Sequence, residues 1–211
     1  MGPEKTPDIV ISRLPVYLRA LTRLQVEAIS KGKENEHTSS AELGKMLGIS
    51  SAQIRKDLSH FGEFGKQGTG YEINKLVDQL RRILKVEREW NVALVGAGAI
   101  GHALAFYNGF ADHGFRISMI FDNDPAKIGT TINGFEVSDV AKLGEMIQQA
   151  NITLAMVAVP AESAQAVTDE LVKAGVRGIL NYAPIHLSTP ENVHVQPIDP
   201  VVHLQRMTYY L

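Results

Sequence analysis

The stretch Trp90-Asn-Val-Ala-Leu-Val-Gly-Ala-Gly-Ala-Ile-Gly-His102 constrains the fold more than any other part of the chain. Val92 to Val95 is apolar without alternation, as expected of a strand buried on both faces of a parallel sheet. It runs into Gly96-x-Gly98-x-x-Gly101, and the pattern beyond predicts a helix over Ala99 to Ala111. Gly96 permits the tight turn, Gly98 lets backbone approach a pyrophosphate, and Gly101 lets the helix pack close to the sheet. The first turn of that helix offers unpaired N–H groups and a positive dipole end to phosphates. A second predicted strand, Phe115 to Phe121, ends in Asp122, 21 residues past Gly101. A carboxylate there can accept from both adenosine-ribose hydroxyls and repels a 2′-phosphate, and no Arg or Lys follows until Lys127. The spacing therefore points to NAD(H) rather than NADP(H). Gly96, Ala97, Gly98, Ala99, Ile100, Gly101 and Asp122 are the candidate cofactor contacts. The bland alternative is a glycine turn in a sheet domain that binds no nucleotide.

Composition narrows the class. The chain of 211 residues is long enough for two domains, one of them small. It has no cysteine, which excludes disulfides, thiolate metal sites and thiol chemistry, so redox sensing has to run through a bound cofactor. No metal is expected. No window approaches the ~18 apolar residues of a membrane span, and no signal-peptide core opens the chain, so the expected compartment is the cytoplasm. Charge is divided unevenly. Residues 1–88 carry 15 Lys/Arg against 11 Asp/Glu, whereas residues 89–211 carry 6 against 12. A basic segment joined to an acidic one fits a chain whose first part meets a polyanion, although a solvated basic face is the commoner cause.

That basic segment has its own grammar. Thr6-Pro7 reads as a cap with proline at the first helical position, opening a helix over Ile9 to Ile29 that Pro15 either kinks or begins. Lys31 to His37 reads as a polar loop. Ser39 or Ser40 caps a helix to Leu47, with Glu42 placed for a capping box; Gly48 turns, Ile49 plugs the space between helices, and Ser50 caps a second helix. This is a helix-turn-helix. Its second helix presents Ser51, Gln53, Arg55, Lys56 and His60, polar and cationic types suited to base edges and phosphates, with Ile54 and Leu58 inward. Phe61 to Tyr71 is dense in glycine, with Lys66 and Gln67 at its tip, and suits a β-wing reaching a minor groove or the backbone. The alternatives are a small bundle with a polar outer helix and a flexible connector. A further helix spans Ile73 to Val86.

Beyond Asp122 the periodicity predicts a turn-rich loop, a short strand or hairpin edge at Gly134 to Val137, and a helix over Val140 to Ala150. Then come a strand from Ile152 to Val159, a helix from Glu162 to Ala174, strands at Gly178 to Asn181 and Val193 to Ile198, and a last helix capped by Asp199-Pro200. Strands alternating with helices of this length give a doubly wound, Rossmann-type parallel sheet with ligands at the strand C-terminal ends. By that rule Val159 and Pro160 join the candidate cofactor contacts.

The chain resembles the Rex-type redox-sensing transcriptional repressors of bacteria, over nearly its whole length. The resemblance rests on Ser12-Arg-Leu-Pro-Val-Tyr-Leu-Arg19, Gln53 to Gly62, Gly68 to Tyr71, the Gly96–Gly101 loop, Tyr107-Asn-Gly-Phe110, Phe121 to Pro125 and Ala174 to Pro184. It implies a winged-helix DNA-binding domain (1–86), an NAD(H)-binding domain (87–198) and a C-terminal helix (199–211) that swaps onto the partner of a homodimer. It further implies binding to an inverted-repeat operator in double-stranded DNA and release when NADH binds. Asp199 is similar to the family's switch carboxylate, pairing with Tyr107 of the partner subunit in the NADH form and with Arg19 in the DNA-binding form. Three positions depart from the family pattern: Ala99 where some relatives place a basic or polar residue, Gln67 for a wing-tip arginine, and Pro200 for a bulky apolar residue near the nicotinamide. Two rivals remain open. A small NAD-dependent dehydrogenase using His186 or His102 as proton donor lacks a substrate domain. A CoA- or nucleotide-binding domain leaves residues 1–88 unexplained.

Overall fold

Proline lacks the N–H that a helix interior uses but suits a first turn. In the computed structural model, which describes residues 6–33, 36–65 and 68–211, a short helix α1 (Asp8–Ile11) therefore ends before α2 (Leu14–Ser30), with Pro15 in the first turn of α2. The single helix from Ile9 to Ile29 is thus two, and α1 is preceded by Pro7 with no side-chain cap from Thr6. The expected loop gives up its last residue to a strand: β1 (His37–Thr38) pairs antiparallel with β2 (Tyr71–Glu72). Between them, α3 (Ser40–Leu47) and α4 (Ser51–Ser59) form the helix-turn-helix, followed by α5 (Ile73–Ile83). That last helix stops three residues short of Val86, because Lys85 takes a left-handed φ of 58°. Leu14, Tyr17 and Leu21 of α2 bury against Leu43, Ile54, Leu58, Leu76 and Leu80 as one core. The chain divides between Arg88 and Glu89, and this core belongs to the first of the two units.

The second unit is built on a seven-stranded sheet in the order β5-β6-β4-β3-β7-β8-β9. Its strands are β3 (Trp90–Val95), β4 (Phe115–Asp122), β5 (Thr131–Ile132), β6 (Phe135–Asp139), β7 (Leu154–Val157), β8 (Gly178–Asn181) and β9 (His194–Pro197). All pairs are parallel except β5–β6, a hairpin whose Asn133-Gly134 turn has both φ positive, at 48° and 83°. From β3 the chain moves outward through β4 to the β5–β6 hairpin at one edge, then from β7 outward through β8 and β9 on the other side. The strand order therefore reverses between β3 and β7, which opens a crevice at their C-terminal ends.

Helix α6 (Ala99–Ala105) is shorter than the expected run to Ala111. Tyr107 leaves helical geometry (ψ 102°), and a 3-10 turn over Asn108–His113 follows, since Asn and Gly are poor helix interiors. Similarly, Val140–Lys142 is a 3-10 turn capped by Asp139 before α7 (Leu143–Gln149). The helix α8 (Ala161–Ala174) and the last helix, α9 (Pro200–Thr208), complete the unit. Among the described residues, no helix is long and apolar enough to cross a membrane, and no cluster of three His, Cys, Asp or Glu could hold a metal ion.

Candidate functional site

Two glycines of the loop after β3 are required by contact. A side chain at Gly96 (φ 105°) would overlap the Ala158 carbonyl at the end of β7. At Gly101 it would overlap the Gly96 carbonyl, so this glycine closes the loop on itself rather than sparing a sheet side chain. Gly98, by contrast, faces open space with nothing within 4 Å of a Cβ position, which leaves its backbone approachable by a ligand. Ala99 and Ile100 are exposed and Ala97 is buried. Val159 is half-buried and Pro160 exposed at the β7 side of the same crevice.

Asp122, 7% exposed, is tied to this loop. Its Oδ2 accepts from the Ala97 N–H at 2.7 Å and from Lys127 Nζ at 3.2 Å, and its Oδ1 accepts from the Asp124 N–H at 2.9 Å. Burial disfavours the charge, but the Asp124 and Ala97 N–H groups and Lys127 outweigh it and hold the carboxyl below the usual range. The carboxylate keeps lone pairs for a ribose hydroxyl on Oδ1. The charge argument against a 2′-phosphate needs correction, however. Lys127 folds back onto the carboxylate and tempers its repulsion.

Asn181 was not among the expected contacts. It is buried at the end of β8 and donates through Nδ2 to the carbonyls of Ala183 (3.1 Å) and Ile185 (3.0 Å), while accepting from the Ala183 N–H (2.9 Å). It thereby shapes the Tyr182-Ala-Pro184 turn on the crevice side. The signal was an amide at a strand end just before a proline turn.

In the first unit, Ser39 and Glu42 form the expected capping box and Gly48 takes the left-handed C-cap (φ 67°). The turn also depends on Gly44, where a Cβ would overlap the Ile49 carbonyl. Ser50 caps α4 by accepting from the Gln53 N–H at 3.2 Å. Ser51 is half-buried, whereas Arg55, Lys56 and His60 are exposed, and the Arg55 guanidinium donates to Ser40 Oγ at 3.0 Å. Gln53 is not the free reader the pattern implies: it is half-buried, and its Nε2 donates to Asp57 at 2.7 Å. Asp57, fully buried, also takes both prongs of Arg13 and the Tyr17 hydroxyl. Lys66 and Gln67 lie outside the described residues.

Arg19 is exposed on α2, and among the described residues no hydrogen bond or ion pair engages it. Tyr107 is 59% exposed and packs edge-to-face on Phe110 with ring centroids 4.9 Å apart. Asp199 caps α9 by accepting from the Val201 N–H at 2.9 Å. The single chain makes no hydrogen bond between Tyr107 and Asp199 among the described residues. His102 and His186 are exposed, and His102 stacks on Phe106 at 4.9 Å.

A helix-turn-helix unit and a Rossmann-type nucleotide-site unit in one chain define a ligand-gated regulator by class. Residues 5–59 match the family described as putative DNA-binding protein N-terminus, and residues 87–185 match the family described as CoA binding domain. The redox-sensing transcriptional repressor Rex of Roseiflexus sp. (strain RS-1) is 52% identical over 208 residues, covering 99% of this chain and 92% of that protein. Rex of Chloroflexus aurantiacus (strain J-10-fl) is 50% identical, covering 97% and 94%. Among solved structures, RSP in complex with β-NAD+ and operator DNA superposes with a TM-score of 0.88 at 35% identity, covering 98% of this chain and 93% of that one. RSP in complex with β-NADH gives 0.84 at 33% identity, covering 98% and 94%. The chain belongs to the Rex family of redox-sensing transcriptional repressors, and these relatives are named as regulators rather than enzymes.

Proposed function

We propose that this protein represses transcription in response to the balance of NADH and NAD+, as a homodimer on an inverted-repeat operator in cytoplasmic DNA. The observation that carries the reading is the Ala97–Asp122 hydrogen bond. It ties the glycine loop to the strand-end carboxylate of a dinucleotide site, in a chain whose other unit is a capped helix-turn-helix. The RSP complexes with NAD+ and NADH favour the dinucleotide over CoA, the ligand in the description of the 87–185 family.

Gly96, Gly98, Ala99, Ile100 and Gly101 hold the pyrophosphate through backbone, Asp122 holds the adenosine ribose, and Val159 and Pro160 line the other wall. When bound, the nicotinamide supplies the redox difference that is sensed; this chain's residues only bind and respond. Ser50, Ser51, Gln53, Arg55, Lys56 and His60, together with Lys66 and Gln67, contact DNA. Dimerisation is supported by α9, whose Val201, Leu204 and Met207 are 55–61% exposed in the single chain, an apolar surface that a swapped position on a partner covers. Asp199 at its start is the switch: it pairs with the partner's Tyr107 in one state and with Arg19 in the other, two exclusive arrangements that a ligand biases. Titrating a fluorescent inverted-repeat duplex with NADH at fixed NAD+ tests this reading. Release of DNA by NADH at constant total nucleotide is expected. Indifference to NADH, or release by CoA instead, overturns it.

A further inference from the structure

Among the described residues of the helix-turn-helix unit, Asp57 is the most highly coordinated carboxylate. Its Oδ1 accepts from Arg13 Nη2 and from Gln53 Nε2, both at 2.7 Å, and its Oδ2 accepts from Arg13 Nε and from the Tyr17 hydroxyl, both at 2.6 Å. A carboxylate has about four lone-pair sites, so all are filled. Burial opposes its charge, yet Arg13, Tyr17 and Gln53 together keep it ionised below the ordinary range. An ionised carboxylate only accepts, so the side of the Gln53 amide that faces it has to be Nε2, and the orientation of the amide is fixed by chemistry. The opposite end is then Oε1. Gln53 is half-buried, and among the described residues its Oε1 is not one of the fully buried side-chain polar atoms that lack a partner, so the oxygen, which makes no hydrogen bond of its own, keeps some access to solvent.

Gln53 sits in the first turn of α4, two residues after its first residue. In a helix-turn-helix, those N-terminal positions of the second helix approach base edges. An outward carbonyl oxygen there seeks a donor, and the major groove offers two: the exocyclic amine of adenine and that of cytosine. We infer that Asp57 is a specificity-positioning residue, which holds Gln53 with its carbonyl outward so that it reads an adenine or cytosine amine in the half-site. The inference rests on the DNA-binding reading above.

The test uses the full-length protein and inverted-repeat duplexes. Selection from randomised half-sites with wild type and Gln53→Ala identifies the base pair whose preference Gln53 sets. At that pair, removing only the amine (purine for adenine, or 2-pyrimidinone for cytosine) is expected to weaken wild-type binding about fivefold or more. The same replacement leaves Gln53→Ala unaffected relative to its own starting duplex, which cancels any change in base pairing. Asp57→Asn, which can donate to Gln53 Oε1 and turn the amide round, is expected to lose the response to the amine. Three outcomes overturn the proposal: Gln53→Ala alters no position; the pair responds to loss of the purine N7 (a 7-deaza base) and not of the amine; or a folded Asp57→Asn keeps the wild-type response. If Asp57→Asn does not fold, the first two outcomes still decide. Wild-type protein that selects no sequence at all overturns the DNA-binding reading itself, and this proposal with it.

Discussion

Asp122 and Asp57 are two buried carboxylates, and in each the surrounding donors prevail over desolvation. At Asp122 the nearby Lys127 ammonium, 3.2 Å away, lowers the repulsion a 2′-phosphate would meet. NADH is therefore expected to bind more tightly than NADPH by about 1 kcal/mol, the low end for such a pair, and Lys127→Ala is expected to widen the gap. Calorimetry on both proteins checks this; equal affinities for the two nucleotides in both would refute it. Asp57 and Tyr17 make the first unit sensitive at both ends of the pH scale. The folded pKa of Asp57 lies below its unfolded value, so its contribution is complete above about pH 4 and is lost as pH falls through the lower folded value. Tyr17, raised by burial and by its bond to Asp57, contributes fully below about pH 10 and loses that contribution as pH rises further. Tyr17→Phe is expected to cost about 1–2 kcal/mol at neutral pH and to flatten the alkaline limb of a denaturant-melt series. An unchanged alkaline limb would show that another group sets it.

At the scale of elements, α4 divides its labour by face. Ile54 and Leu58 anchor it, Asp57 ties it to α2, and Lys56 stands exposed on the outer side. A single cationic contact to phosphate carries no sequence information. Lys56→Ala is therefore expected to weaken all duplexes alike and to reduce the slope of log affinity against log salt by roughly one unit. Fluorescence anisotropy at several salt concentrations measures this, and an unaltered slope would remove Lys56 from the interface. The loop between β3 and α6 is held by the Ala97–Asp122 hydrogen bond and, at Gly96 and Gly101, by carbonyls that leave no room for a side chain. Gly101→Ala is expected to disrupt NADH binding and to cost several kcal/mol of stability, since the new methyl has only the Gly96 carbonyl to displace. A variant with wild-type melting and NADH affinity would contradict that packing.

The whole molecule is a basic unit and an acidic one in a single chain, and its regulation depends on what passes between cofactor state and DNA. Asp199 separates two accounts of the C-terminal helix. As a cap alone, its replacement by alanine costs about 1 kcal/mol and leaves the NADH response intact. As the shared partner of Tyr107 and Arg19, Asp199→Ala is expected still to bind NADH and to dimerise, yet to lose most of a coupling worth 1–3 kcal/mol, about 5–150-fold in operator affinity. Melting temperature, sedimentation and NADH-dependent operator release on the one variant distinguish them. A destabilised protein that still releases DNA fully with NADH ends the switch reading.

Short-range chemistry was legible along the chain because it acts between neighbours in sequence. The Ser39–Glu42 capping box, the Ser50 cap, the Gly48 turn, the Asp199 cap and the alternation of strands and helices each need only a few consecutive residues. So did the glycine loop and the carboxylate that follows it, since a strand–turn–helix–strand unit sets their separation. What the sequence could not disclose were contacts between residues far apart. Nothing local marks Asp57 as the partner of Arg13 and Tyr17, 44 and 40 positions away, or shows that Gln53 has one end of its amide occupied. Nor does the spacing reveal that Gly44 and Gly101 are small because a carbonyl lies where their side chains would be, or that Lys127 turns back onto Asp122. Pro15 marks a helix start in the sequence, and α2 begins there, but nothing local marks the end of α6 before Tyr107. Apolar periodicity continues past that break, and only the folded backbone shows where the hydrogen-bond ladder stops. Local propensity and spacing determined the elements and their order; the pairing of charges and the close approach of backbones were decided by packing, which alone brings those atoms within reach.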